Sequence, residues 1–303
     1  MSSVQHGQYS PNLSALSCPA VIVNQLDAVY KIIPPASKRL SPVVAASPHS
    51  GRRYTNAFIQ QSTLPLEQLR QVEDAAMDRL LTFQPLPSPL LLAEFPRSFV
   101  DVNRRHDEID SAMFDGPVDI INAKMTRYLR SGLGMIPKKA AEQKDIYSSP
   151  LPADEVTYRR QHYYTPYHKA LNSLVETAAR AGHALLLDCH SMPSGLFGVD
   201  SDIILGSNHG LSARPWVVDA ALEYFSREGL SIRLNTPFSG GFITKHYGKP
   251  QSGISTLQIE VCRSLYLNEQ SLELKSDWSA LASIICRFIL HMDELMIRRG
   301  DDD

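Results

Sequence analysis

Short unbroken apolar runs alternate along this chain with longer segments in which apolar residues recur every three or four positions. The runs include "VVAA" within "SPVVAASPHSG" (41–51), "ALLL" within "HALLLDCH", and the core of "STLQIEVCRSLY" (255–266). Each has the length of a strand and is bounded by Pro, Gly or polar residues. "RSFVDVNRR" (97–105) reads as a further strand, and "LSIRLNTPFSGGFIT" as a strand with a Gly-Gly turn. The longer period predicts helices over 65–81, 165–182, 215–229 and 276–300. In the first, Leu66, Leu69, Val72, Ala76 and Leu80 follow helical spacing and Pro65 suits the first turn. Gly182 and Gly229 close the second and third. A helix near 117–131 and a polar connection to 157 are more weakly patterned. Residues 1–20, rich in Ser, Gln and Pro, read as a loosely held extension, which leaves 21–303 as a single α/β domain.

Strands that are apolar throughout belong to a sheet covered on both faces. Their alternation with helices of twelve or more residues predicts a layered α/β fold with a mixed, mainly parallel sheet. In such sheets ligands collect beyond the carboxyl ends of the strands. The polar residues that end the runs are therefore where chemistry is expected. They are His49, Ser50 and Gly51; Asp101, Asn103 and Arg104; and Asp188 with His190. "TLQIEVCR" adds Glu260 and Arg263 in an apolar setting.

Composition narrows the classes. Across 303 residues, 43% of them hydrophobic, 30 Lys and Arg face 32 Asp and Glu. A chain this near to neutrality has no bulk attraction for nucleic acid or anionic membrane. The four cysteines, Cys18, Cys189, Cys262 and Cys286, form no C-x-x-C and read as reduced thiols of a cytoplasmic protein. The N-terminus has neither the basic nor the apolar region of a signal peptide, and no apolar run approaches the ~20 residues of a membrane span. G-x-S-x-G, G-x-x-x-x-G-K-[ST] and G-x-G-x-x-G motifs are absent from the sequence.

A lone His at a strand end is usually a hydrogen-bonded structural residue. Two of them, His49 and His190, at the ends of different strands shift the balance toward metal. Catalytic zinc sites commonly combine two His with one carboxylate. For that carboxylate the spacing leaves Asp74, Asp78 and Glu73 open, with a helix-surface charge pair as the ordinary alternative for the two aspartates. Period-2 alternation puts Asp188 and His190 on one face and Cys189 on the other. Asp188 is thus placed to orient His190, and a Cys189–His190 nucleophile pair is disfavoured. Glu260, between Ile259 and Val261, is either salt-bridged, for instance to Arg263, or a general base that takes a proton from water and returns it to a leaving amine. Asn103-Arg104 suits a carboxylate clamp, since a guanidinium matches a carboxylate bidentately. Gly240 and Gly241 would let backbone N–H groups approach a ligand.

Taken together, "SPHSG", "EDAAMDRL", "RSFVDVNR", "GLGMIP", "TPYHKAL", "DCHSMP", "NTPFSGGFIT", "YGKPQSG" and "LQIEVCRSLYLNE" occur in the order seen in N-formylglutamate amidohydrolases. The chain resembles that family over roughly residues 40–270. The resemblance implies a three-layer α/β/α sandwich like that of zinc carboxypeptidases. It implies Zn2+ as cofactor and a small N-acyl amino acid as substrate. The implied reaction cleaves the formamide of N-formyl-L-glutamate to formate and glutamate, a step of histidine degradation. It implies His49, Asp74 and His190 as zinc ligands, Glu260 as the catalytic carboxylate, and Asn103-Arg104 as the substrate clamp. Arg263, near Glu260 in the chain, is a second candidate for holding a substrate carboxylate. One departure is plain: zinc carboxypeptidases use His-x-x-Glu, whereas Arg52 stands three residues after His49. A deacylase of another N-acyl amino acid and a non-catalytic ligand-binding protein are the alternatives.

Overall fold

The computed structural model describes residues 16–118, 126–198 and 200–300. A seven-stranded sheet runs in the order β10-β9-β11-β8-β3-β5-β2. Its strands are β2 (Tyr30–Ile33), β3 (Val43–Ser47), β5 (Leu90–Ala93), β8 (Ala184–Met192), β9 (Ile203–Gly206), β10 (Ile232–Leu234) and β11 (Ile254–Cys262). Two small parallel pairs lie outside it, β1 (Val21–Val23) with β4 (Arg53–Thr55) and β6 (Phe114–Asp115) with β7 (Leu151–Pro152). The four central strands β5, β3, β8 and β11 are mutually parallel, while β2 and β9 pair antiparallel at either side.

Alternation along the strands builds a core on each face. Val43, Ala45, Leu185, Leu187 and Leu257 point to one side, where they meet Val217 and Phe225 of α7 (Pro215–Arg227) and Ile285 and Ile289 of α9 (Trp278–Gly300). Val44, Ala46 and Leu186 point to the other, against Tyr167, Leu171 and Val175 of α6 (Thr165–Ala179). The result is a three-layer α/β/α sandwich with a mixed, mainly parallel sheet. β8 and β11 pair along nine residues, and their register sets Glu260 opposite His190 and Gln258 opposite Asp188.

Several expectations are corrected. The helix over 65–81 is two short helices, α2 (Leu66–Arg70) and α3 (Met77–Leu81), separated by turns. At the break the Asp74 N–H donates to the His49 carbonyl (2.9 Å) and Ala76 takes a left-handed φ of 59°. Asp74 and Asp78 consequently do not share a helix face. No strand spans 97–105; Phe99, Val100 and Val102 are buried in turns, and the strand lies earlier, in β5. Of the helix near 117–131, residues 119–125 fall outside the described residues, and α4 covers Arg127–Arg130. Of the expected extension, residues 1–15 fall outside them. Residues 16–20 lie against the fold: Cys18 is buried and its carbonyl accepts from Arg70 Nη2 (2.6 Å).

A continuous helical stretch leads from α5 (Asp154–Arg159) through a wide turn at Arg160–Tyr164 into α6. Two further helices are α1 (Asn56–Gln61), which follows β4, and α8 (Phe242–Tyr247), which packs against β11 and β8. The turn after β3 is held close to the end of β5, where a Cβ on Gly51 would sit 2.1 Å from the Phe95 carbonyl oxygen. Backbone cannot yield as a side chain does. Gly51→Ala is therefore expected to destabilise the fold by about 1–3 kcal/mol, checked by denaturant or thermal unfolding. A midpoint equal to that of the parent would contradict it. No helix among the described residues is long and apolar enough to cross a membrane.

Candidate metal centre

His49 follows β3, His190 lies near the end of β8, and Asp74 reaches in from the break between α2 and α3. The ligating atoms available from these three buried residues all fall within 4.8 Å of one another. Asp74 Oδ2 lies 2.8 Å from His190 Nδ1 and 3.4 Å from His49 Nδ1. His49 Nδ1 is buried with no hydrogen-bond partner, and burying a polar nitrogen without a partner is costly. A cation shared with Asp74 and His190 would satisfy it. Two imidazoles and a carboxylate form a donor set that suits zinc.

The opposite ring nitrogens are held by carboxylates. His49 Nε2 is 2.7 Å from Asp101 Oδ1, and His190 Nε2 is 3.0 Å from Asp188 Oδ1. A carboxylate on the far nitrogen fixes a ligating histidine's tautomer and orientation. This arrangement leaves both Nδ1 atoms facing Asp74. Burial disfavours the ionised form of Asp74, but its hydrogen bond to His190, and the charge of His190 and His49 beside it, hold it well below the usual carboxylate range. Asp101 is likewise held low against its burial, here by Arg104, His49 and Arg97.

The other two acidic candidates are engaged elsewhere. Asp78 forms a fork with Arg52 Nη1 (2.9 and 2.8 Å). Glu73 accepts from Tyr54 Oη (2.7 Å) and pairs with Arg70 Nε (3.2 Å).

Glu260 faces the same cleft. It forms no salt bridge to Arg263; its Oε1 accepts from Gln258 Nε2 at 2.6 Å. Burial pushes its carboxyl up to about 7, with Asp74 and Asp188 adding to the shift and His190 and Arg97 opposing it. The cleft, about 460 Å³, is lined by His49, Asp74, His190, Gln258 and Glu260 together with Asn103, Arg97, Arg104, Gly240 and Gly241. Arg104 donates from Nε to the Leu133 carbonyl and from Nη1 to the Asn103 carbonyl (both 2.9 Å), and stacks on Tyr128 at 3.9 Å. These contacts fix its guanidinium in the wall. Asn103 Nδ2 approaches His190 Nε2 (3.0 Å) and its Oδ1 accepts from the Ile243 N–H (2.8 Å). Gly241 is needed for this, since a Cβ there would stand 2.4 Å from the Asn103 amide.

Some residues fall outside this arrangement. His168, with Nδ1 3.0 Å from Tyr247 Oη and Nε2 2.9 Å from the Val102 carbonyl, is a packing residue that burial pushes down to about 4. Cys189 points into the opposite core, where burial pushes its thiol up. Arg97 was not singled out by the sequence pattern. Its Nη2 donates to Asp101 Oδ2 (2.9 Å) and its Nη1 lies 4.0 Å from Asp74 Oδ1. The available sign was a cation lodged in the apolar stretch "FPRSF".

A sequence model of the N-formylglutamate amidohydrolase family matches residues 41–267. The N-formylglutamate deformylase of Pseudomonas aeruginosa is 31% identical over 243 residues, covering 76% of this chain and 84% of that protein. The deformylase of Pseudomonas putida is 30% identical over 240 residues, covering 75% and 82%. The crystal structure of N-formylglutamate amidohydrolase from Ralstonia eutropha superposes with a TM-score of 0.85 at 31% identity, over 90% of this chain and 99% of that one. The chain belongs to the N-formylglutamate amidohydrolase family.

Proposed function

We propose that the chain is a zinc-dependent hydrolase that cleaves N-formyl-L-glutamate to formate and L-glutamate. The observation that carries this reading is the orphaned His49 Nδ1, gathered with Asp74 and His190 beside the buried Glu260. A zinc ion held by those three residues would polarise the formyl oxygen and acidify a water. The remaining work falls to the chain itself. Glu260 takes the proton of the attacking water; the oxygen adds to the formyl carbon and the C–N bond breaks. The same proton passes to the departing nitrogen of glutamate. A carboxyl near neutrality suits both halves of that transfer. Arg104, immobilised by its own contacts, and Asn103 offer a fixed binding edge for a substrate carboxylate. The likeness to two deformylases over most of their length supports formate as the product.

The rim of the cleft favours a second reading, hydrolysis of a larger N-acyl amino acid. Phe197 is 74% exposed and its ring lies 6.2 Å from Phe238, both at the cleft wall. Such an apolar rim would accept acyl groups bigger than formyl. The deciding experiment compares formate release from N-formyl-L-glutamate, with and without added zinc, against the rates on N-acetyl- and N-succinyl-L-glutamate. The formyl compound is expected to be the fastest by at least about tenfold, the factor that one 1.4 kcal/mol difference in transition-state binding supplies. A faster acetyl or succinyl substrate would overturn the formyl assignment while leaving the hydrolase intact.

A further inference from the structure

Arg263 begins the turn that follows β11, three residues after Glu260, and it lines the cleft. The sequence reading places it against a substrate carboxylate. Its contacts point elsewhere. Nε donates to Ser191 Oγ (3.1 Å), Nη1 to the Gln71 carbonyl (3.0 Å), and Nη2 to Asp74 Oδ1 (3.4 Å). All three nitrogens are thus engaged with the protein, and the residue is 4% exposed. Ser191 is the neighbour of His190, and Gln71 and Asp74 lie in the break between α2 and α3. One guanidinium therefore ties the strand that carries a histidine of the centre to the turn that carries its carboxylate. Tyr266, three residues further on, adds a hydrogen bond from its hydroxyl to the Ala75 carbonyl (2.8 Å).

The consequence is a division of labour between the two oxygens of Asp74. Oδ1 is held by Arg263, with Arg97 at 4.0 Å; Oδ2 is turned to His190 and His49. We infer that Arg263 is a positioning residue that presents Asp74 to the metal through a single oxygen, and that it does not bind the substrate. This rests on the zinc-site reading above. A carboxylate on a turn without such a strut would lose its aim, and partners of this kind typically carry a 10–100-fold share of metal affinity.

The test measures zinc affinity of the full chain, by competition with a chromophoric chelator, alongside kcat and KM for N-formyl-L-glutamate at saturating zinc. Arg263→Met is expected to weaken zinc binding about 10–100-fold while KM stays within about threefold. Arg263→Lys, which keeps the charge and part of the donor set, is expected to recover part of that loss. Should the Met variant not fold, the Lys variant decides by the same criterion, measured well below its unfolding temperature. Unchanged zinc affinity with KM raised about tenfold or more is the signature of a substrate clamp and overturns the inference. Parental chain that takes up no zinc overturns the site reading as well, whereas normal uptake by the parent with an unshifted variant overturns this inference alone.

Discussion

Glu260→Gln is expected to lower kcat by about 10²–10⁴-fold, the usual contribution of a positioned general acid–base group. Zinc content should be unchanged. The substitution is nearly isosteric, and the amide oxygen of the new side chain can still accept from Gln258 Nε2, the present partner of Oε1 at 2.6 Å. Glu260 is not among the three residues whose ligand atoms converge, so the centre keeps its donors. What disappears is the capacity to take and return a proton. The pH profile should show the same dependence from the other side. The base form is the active one, so kcat/KM falls as pH drops through the carboxyl's pKa. Burial raises that group to about 7, and a cation bound beside it would lower it, which places the acid limb at or below that value. A Gln variant that holds a full complement of zinc and turns over at the parental rate would remove Glu260 from the reaction.

The parts of the fold that were legible are those with room to declare themselves. β3, β8 and β11 carry apolar residues on both faces because helices cover both faces of the sheet, so each reads as an unbroken run. The polar residues at their ends then stand out, and this is why His49, His190 and Glu260 were visible. β2, β5 and β9 were missed. Each has four residues, and none is marked by an unbroken apolar run leading directly into a cluster of polar groups as β3 and β8 are. The break in the 65–81 helix was illegible for a different reason. α2 and α3 both bury one face, Leu69 in the first and Leu80 in the second, so the 3.6-residue spacing continues across the gap. The sign that was present is Glu73-Asp74 beside Val72 and Ala75, two acids where an amphipathic helix would bury its stripe. Both are buried, each with its own partners, and the chain leaves the helix to deliver them. Arg263 shows the limit of spacing arguments. Its proximity to Glu260 in sequence suggested either a salt bridge or a substrate clamp, yet its partners come from residues 71, 74 and 191.

Loss of the metal should be the most severe perturbation, and His49→Ala separates that loss from damage to the fold. Removing a buried histidine often strands its partner, but Asp101 does not depend on His49. It accepts from Arg97 Nη2 at 2.9 Å and from the Asn103 N–H at 2.9 Å, and Arg104 Nη2 lies 3.8 Å away. Its charge stays compensated, so the variant should fold. It is expected to lack measurable formate release, as is the parental protein after exhaustive chelation, and zinc should restore the parent alone. Unfolding provides a second readout that needs no substrate. Zinc at about 100 times its dissociation constant stabilises a folded protein that binds it by about 2.7 kcal/mol. The parental midpoint should therefore rise on zinc addition, and that of His49→Ala should not. If the variant gained as much stability from zinc as the parent, the ion would be bound somewhere other than the His49–Asp74–His190 group. If chelated parent retained its activity, the hydrolysis would have to proceed without the ion, and the convergence of two imidazoles on Asp74 would need another explanation.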